Sequence, residues 1–320
     1  MWGSSNKRGG ALIAMRALAS DSLVKSESEQ GDEMTVQNAY QVADWNGQSG
    51  ERWVANQARL DAMVAVFGEA TIEAVAPAAG ERVLDVGCGA GASSLALAAR
   101  VGAGGQVLGV DISAPLIGRA RALAPKDTPV LYQVADASSA DLSEGAFDIL
   151  FSRFGVMFFA DPTAAFAHMR RALRPGGRVA FVCWRGAAEN DWVRLPMGAI
   201  KGILPPSALP DPEAPGPFSF GDRRRVSRIL TVAGFTDIAI APFDAAVPFG
   251  EGGTRDAAID DAVKMTLEVG PLSRSLADKP DDIRARASAA VHAAFAGLPG
   301  ERSVMINGAA WIVMARNPAS

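Results

Sequence analysis

The sequence predicts an α/β fold, a mostly parallel sheet with helices on both faces. Two observations predict it. From Glu81 to about Arg185, short aliphatic and β-branched runs alternate with stretches whose apolar residues recur at helical spacing. Those runs are almost continuously apolar, as strands covered on both faces are, rather than alternating as half-exposed strands do.

In chain order the predicted strands are "RVLDVG" (82–87), "QVLGVD" (106–111), "VLYQVA" (130–135), "FDILFS" (147–152) and "RVAFVCW" (178–184). Between them "ASSLALAARV", "APLIGRARALA" and "PTAAFAHMRRAL" read as helices. "RPGG" (174–177) closes the last of these, with Pro just past the helix and glycines leading into the next strand. Such sheets bind ligands beyond the carboxyl ends of their strands, which gathers the turns after Val86, Val110, Ala135 and Phe151 around one crevice.

After Trp184 the rhythm changes. "LPPSALPDPEAPGPF" (204–218) predicts an ordered loop or lid, and "GDRRRVSRILTVAGF" (221–235) an amphipathic helix. "TDIAIAPF" and "GAAWIVMARN" (308–317) read as strands, and 255–299 as mainly helical. The expectation is a single domain over 34–320, with a core at 81–185 and cap elements at 34–76, 190–222 and 255–299. Residues 1–33 read as a disordered or over-extended tail. Their apolar stretch is short and broken by Arg16, which argues against a signal peptide.

Bulk composition narrows the function. Apolar residues make up 49% of the 320, charged residues 21%, and the net charge is −4. That balance gives no general attraction to nucleic acid or an anionic membrane, and no apolar run reaches the roughly 18 residues of a bilayer span. Cys88 and Cys183 make no disulfide framework, and two cysteines with two histidines are few for a zinc site. A cytoplasmic protein without metal is expected.

The stretch "VLDVGCGAG" carries the chemistry. Its glycines allow close approach to a ligand, as in a dinucleotide loop, but they are spaced G-x-G-x-G and Asp85 stands beside them. A carboxylate there disfavours a pyrophosphate and favours a cationic ligand. S-adenosylmethionine, with its ammonium, sulfonium, carboxylate and adenosine, has the matching charges. Asp111 ends the second strand, where it can accept from ribose hydroxyls, and Asp136 ends the third, where it can accept from an adenine amino group. Each acid alone could be a helix N-cap or turn residue; three at successive strand ends are harder to explain that way.

These segments, with "VLGVDIS", "VADAS", "FDILFSRFGVMFFADP" and "RRALRPGGRVAFVCWR", resemble the ordered motifs of class I S-adenosylmethionine-dependent methyltransferases. "ADWNGQSGERWVANQARLDAM" (43–63) and "PFSFGDRRRVSRILTVAGFTDI" (217–238) resemble flanking segments of a bacterial subgroup related to ubiquinone/menaquinone-type methyltransferases. The resemblance implies a Rossmann-like sheet of seven strands, the last antiparallel and beside the sixth, with N-terminal helices and C-terminal helical insertions forming a cap. It implies that Asp85, Gly87, Cys88 and Gly89 line the methionine moiety, Asp111 and Ile112 the ribose, and Asp136 and Ala137 the adenine. It further places Ser152 and Arg153 beside the cofactor, and brings Trp45, Asn46 and Trp53 near the pocket. The tryptophans could equally pack a helix onto the sheet.

Methyl transfer asks the protein mainly to bind, align and desolvate. No catalytic base is identified. Tyr40, Arg153 and His292 are weak candidates, and His168 reads as structural. A hydrophobic or aromatic small-molecule acceptor is expected, lined by Met157, Phe158, Trp192, Met197, Phe218 and Phe220, although such residues are often core. The basic run "DRRRVSR" reads as a solvated helix face, and a homodimer is kept as an option. The competing functions are a NAD-dependent oxidoreductase and a cofactor-binding protein of this fold with a role other than methyl transfer.

Overall fold

The computed structural model describes residues 39–205 and 211–319; the expected tail at 1–33 lies outside the described residues. Seven strands form one sheet: β1 (Arg82–Val86), β2 (Gln106–Asp111), β3 (Val130–Val134), β4 (Phe147–Arg153), β5 (Leu173–Trp184), β6 (Thr236–Glu251) and β7 (Ser303–Arg316). Their order is β3-β2-β1-β4-β5-β7-β6. β1 to β5 pair in parallel, and β7 runs antiparallel between β5 and β6. The expected mostly parallel seven-stranded sheet is therefore present. Strand order reverses between β1 and β4, and the crevice beyond their carboxyl ends is where a doubly wound sheet takes its ligand.

Burial explains the apolar runs. Val83, Ile149, Phe151 and Ala180 share a cluster with Ile72, Val75 and Leu97, while Leu84, Leu150 and Phe181 share another with Phe166 and Met169. Successive residues of a strand serve opposite faces, so a sheet covered twice needs apolar residues at every position. Phe151 and Phe181 have no exposed surface, and cutting either to Ala would cost about 3–5 kcal/mol.

The helices are α1 (Ala39–Asn46), α2 (Gln48–Ala55), α3 (Gln57–Val75), α4 (Ala92–Val101), α5 (Ala114–Leu123) and α6 (Pro162–Ala172). After β5 come α7 (Asp191–Ala199), α8 (Arg223–Val232), α9 (Arg255–Glu268), α10 (Pro271–Leu276) and α11 (Asp281–Ala296). Side chains of Ser113, Asp161, Asp222 and Thr254 cap four of their N-termini by accepting from first-turn N–H groups.

Three strands are longer than in the sequence reading. β5 begins at Leu173, not Arg178, because the backbone of 173–177 finds partners in the chain end: the Asn317 amide donates to the Leu173 and Arg174 carbonyls, and Gly176 N–H to Asn317 O. β6 and β7 are longer than predicted, pairing as far as Glu251 with Ser303. Pro248 lies in the added stretch; β6 is an edge strand, where a missing N–H is tolerated.

Candidate active site

The β1–α4 loop is shaped by its glycines. Gly87 sits at φ +65°, and a Cβ there would lie 2.7 Å from the Gly155 Cα, so this turn packs backbone on backbone. Gly89, at φ +56°, has nothing within 4 Å of its Cβ direction, which leaves that side of the loop open. The N–H groups of Gly87 and Cys88 donate to Val110 O, tying the loop to β2. Cys88 is buried, and burial pushes its thiol well above the usual range. This residue can offer a ligand only its backbone.

Asp85 is fully buried. Its Oδ2 accepts from Ser93 Oγ at 2.7 Å and Ser94 Oγ at 2.6 Å, on the first turn of α4. Its Oδ1 is buried without a partner. Burial is the main reason its pKa rises to about 6; the two serines and Arg153 pull it down, and Asp111 adds to the rise. Asp111 accepts from Gly89 N–H and Ser113 N–H, each at 2.9 Å, and burial raises its pKa as well. Each of its oxygens keeps a second lone pair. Asp136 is buried and accepts from Ser138 N–H at 2.8 Å, with Ala137 buried beside it. Three acids thus stand at the ends of β1, β2 and β3. The serine pair stood in the sequence as "ASS" directly after the glycines, but its pairing with Asp85 was not legible.

The N-terminal helices latch onto this side. Asn46 Nδ2 donates to Ile112 O at 2.8 Å, its Oδ1 accepts from Ala114 N–H at 2.9 Å, and Ser113 Oγ donates to Trp45 O at 2.7 Å. The Trp45 ring meets Trp53 edge-on at 5.7 Å and Phe158 at 5.5 Å, so it bridges the β2 turn and the segment after β4. Across the crevice α2 and α3 meet α9 and α10: Arg52 with Ser273, Asn56 with Glu268, and Arg59 with Asp261.

Beyond β4 and β5 the surroundings turn aromatic. Phe154, at φ +62°, is held left-handed and stacks on Trp184 at 4.1 Å. Trp184 packs on Trp192 at 5.7 Å, and Trp192 stacks on Phe218 at 5.3 Å. Phe67 of α3 contacts both Phe154 and Trp184 edge-on. Phe67 and Trp184 were not expected here from the sequence, and Phe154 was not singled out within "RFGVMFF" (153–159), a stretch expected to help form the acceptor pocket. The Pro-rich loop is pinned here, with Gly216 N–H and Ser219 Oγ both donating to Met157 O.

Of the other expected site residues, some are core and some pack under or beside the loop. Phe220 lies in the core between Phe166 and Phe181, and Met157 is fully buried beneath Trp184 N–H. Met197 is half-buried against the same core. Ser152 is buried under the glycine loop, donating to Val86 O and accepting from Gly155 N–H. Arg153 turns to Asp61 at 2.5 Å, a carboxylate the sequence reading had not singled out. His168 joins Ala140 O and Arg171, in keeping with a structural role, and His292 sits by Asp260 at an exposed position. Tyr40 belongs to α1, but its side chain lies outside the described residues. Among the described residues no group of three or more His, Cys, Asp or Glu is placed to hold a metal, and no helix is long and apolar enough to cross a membrane. An open groove of about 680 Å³ lined by Arg223, Arg224 and Arg228 lies between α8 and β6, four strands from β1 and apart from this site.

Residues 84–181 match the family model of a methyltransferase domain. Nocamycin O-methyltransferase of Saccharothrix syringae is 30% identical over 180 residues, 52% of this chain and 63% of that protein. Demethylmenaquinone methyltransferase of Clavibacter sepedonicus is 37% identical over 110 residues, 34% of this chain and 44% of that protein. The chain spans less than two thirds of the length of these curated relatives. Among solved structures, the YcgJ protein of Bacillus subtilis shares the fold, with a TM-score of 0.52 at 17% identity over 79% of this chain and 98% of that one. The sheet order, its loop and these matches make residues 84–181 similar to a methyltransferase domain.

Proposed function

We propose that this chain transfers a methyl group from S-adenosylmethionine to a hydrophobic or aromatic small molecule. One observation carries the reading: Asp85 is a buried carboxylate with an unpartnered oxygen, beside a glycine loop whose open side faces no other atom. Leaving such an oxygen unmet costs about 1–3 kcal/mol, and a cationic ligand would recover it. Asp85 and Asp111 also oppose each other's ionisation, so the loop suits a ligand bearing positive charge and repels a pyrophosphate. That electrostatic sign disfavours the NAD-dependent alternative. The chain's residues therefore fit the cofactor.

In this reading the backbone of Gly87 to Gly89 and the Asp85 carboxylate hold the amino-acid end, Asp111 the ribose, and Asp136 with Ala137 the adenine. The cofactor supplies an electrophilic methyl group. The protein's part is alignment and exclusion of water. Asn46 and Ser113 close the N-terminal helices over the β2 turn, and Trp45 carries that closure to Phe158. The ring cluster beyond β4 and β5 supplies dry walls for the acceptor. The same reading places the protein in the cytoplasm, where Cys88 and Cys183 stay reduced.

Titration calorimetry tests this directly. S-adenosylhomocysteine should bind and NAD should not; the reverse would overturn the reading. Asp111→Ala should weaken S-adenosylhomocysteine binding at least tenfold, the loss of charge-assisted hydrogen bonds worth about 1.5–3 kcal/mol.

A further inference from the structure

Arg153 ends β4 two residues after Phe151, which pairs with Asp85 of β1. Side chains alternate along a strand, so Asp85, Phe151 and Arg153 stand on one face of the sheet, with Arg153 the diagonal neighbour of Asp85. Helix α3 covers this face: its Ile72 and Val75 share a cluster with Phe151. Gly68 precedes Val75 by seven residues and Asp61 precedes Gly68 by seven, so the three lie along one stripe of the helix. A Cβ on Gly68 would lie 2.8 Å from Arg153 Cδ. Glycine is unfavourable in a helix interior, and here it opens the space that the arginine stem fills. The guanidinium then reaches Asp61 at 2.5 Å, with the two side chains only 13% and 17% exposed, and Gln57 donates to the same carboxylate.

The other neighbours of Asp85 supply no positive charge. Ser93 and Ser94 of α4 give it neutral hydroxyls, and Asp111 of β2 opposes its ionisation. Burial pushes the nearby Cys88 thiol and Tyr132 phenol up, so both stay neutral around neutral pH. Among the groups that act on Asp85, Arg153 is the cation. We infer, resting on the methyl-transfer reading above, that Arg153 is a positioning residue for the amino-acid end of the methyl donor, laid along α3 by Gly68 and Asp61 so that its charge stands beside the Asp85 carboxylate. It acts through Asp85: a ligand ammonium is held by a carboxylate more strongly than by a carboxylic acid. Asp61 tempers this, because its negative charge offsets part of the field that Arg153 exerts on Asp85. Removing the arginine and removing the charge of its partner therefore act in opposite directions on the ligand. A clasp that merely tied α3 to β4 would weaken in both.

Two ligands separate these roles: S-adenosylhomocysteine, and 5′-methylthioadenosine, which keeps the adenosine and the sulfur but lacks the amino-acid end. In calorimetry at about pH 7, Arg153→Gln should bind S-adenosylhomocysteine about three- to tenfold more weakly than the wild type does. The deficit should close to within about twofold by about pH 8.5, as Asp85 ionises without help. 5′-Methylthioadenosine should bind the two proteins within about twofold of each other across the same range. Asp61→Asn keeps an oxygen that accepts from the guanidinium, and near pH 6 it should bind S-adenosylhomocysteine about two- to threefold more tightly than the wild type. Urea melts report separately that each variant is folded. A loss in Arg153→Gln that is the same at every pH, an equal loss for 5′-methylthioadenosine, no loss at all, or weaker binding by Asp61→Asn would overturn the inference. The wild type separates the failures. If it binds S-adenosylhomocysteine while the variants respond in one of these ways, only the part given to Arg153 is wrong; if it binds none at any pH, the methyl-donor reading itself falls.

Discussion

The two halves of the crevice are built from different materials. At the ends of β1, β2 and β3 stand three carboxylates held by backbone or hydroxyl groups of the turns and first helical turn at those strand ends, and a glycine turn closed against β2. At the ends of β4 and β5 stand aromatic rings drawn from five separate stretches: Phe67, Phe154, Trp184, Trp192 and Phe218. A polar site needs fixed donors and acceptors at short range, and local turns deliver them. An apolar site needs volume, which any ring of the right size can fill from anywhere in the chain. The first half therefore carries ligand identity in its sequence, and the second carries only a preference for shape and dryness.

The largest effect that would test this contrast comes from Gly87→Ala. The methyl group would meet the Gly155 backbone at 2.7 Å, and the left-handed φ adds strain. Neither side can give way by rotating a side chain. A loss of about 3 kcal/mol or more in urea unfolding is expected, the sum of backbone strain and overpacking, together with loss of S-adenosylhomocysteine binding. If the variant folds and binds as the wild type does, the donor half is not the rigid element described.

Asp85 gives the next effect, and its sign is specific. Burial raises its pKa to about 6, above the roughly 3.9 of an exposed Asp, so the folded state prefers the proton. The stability this gives is present below about pH 4 and is lost as pH rises through about 6. Asp85→Asn should match the wild type in acid and become more stable by about 1–3 kcal/mol near pH 7, while binding S-adenosylhomocysteine at least tenfold more weakly. Paired denaturant melts across pH check the first part and calorimetry the second. A stability difference that does not change with pH would show that Asp85 is not a strained carboxylate kept for a ligand.

These predictions mirror what could be read beforehand. The glycine loop, Asp85, Asp111 and Asp136 were legible because each lies where a strand must end, and β1 to β4 were legible from unbroken apolar runs. Long-range contacts were not legible. Met157 and Phe220 have the same composition as pocket residues, and only packing against Trp184 or between Phe166 and Phe181 makes them core. Phe154 was not singled out, and its left-handed backbone leaves no trace in residue type. The length of β6 past Phe243, through Pro248, was not legible because a sequence does not say which strand lies at an edge.

The N-terminal helices sit astride the contrast, and the smallest predicted effect assigns them. Asn46 bonds the β2 turn through both ends of its amide, whereas its neighbour Trp45 touches Phe158 on the acceptor side. Asn46 is exposed, so water replaces most of what Asn46→Ala removes, and the change in unfolding free energy should stay under about 1 kcal/mol. Closure over the β2 turn is another matter, since it depends on few other bonds. If α1 belongs to the donor half, Asn46→Ala should raise the dissociation constant of S-adenosylhomocysteine about three- to tenfold, mainly by faster release, with the acceptor's KM unchanged. If α1 serves the acceptor half through Trp45, the acceptor's KM should rise instead while the S-adenosylhomocysteine constant stays put. Stopped-flow release measured beside steady-state kinetics on the one variant distinguishes the two, because an anchor on the β2 turn acts on the ligand that turn holds.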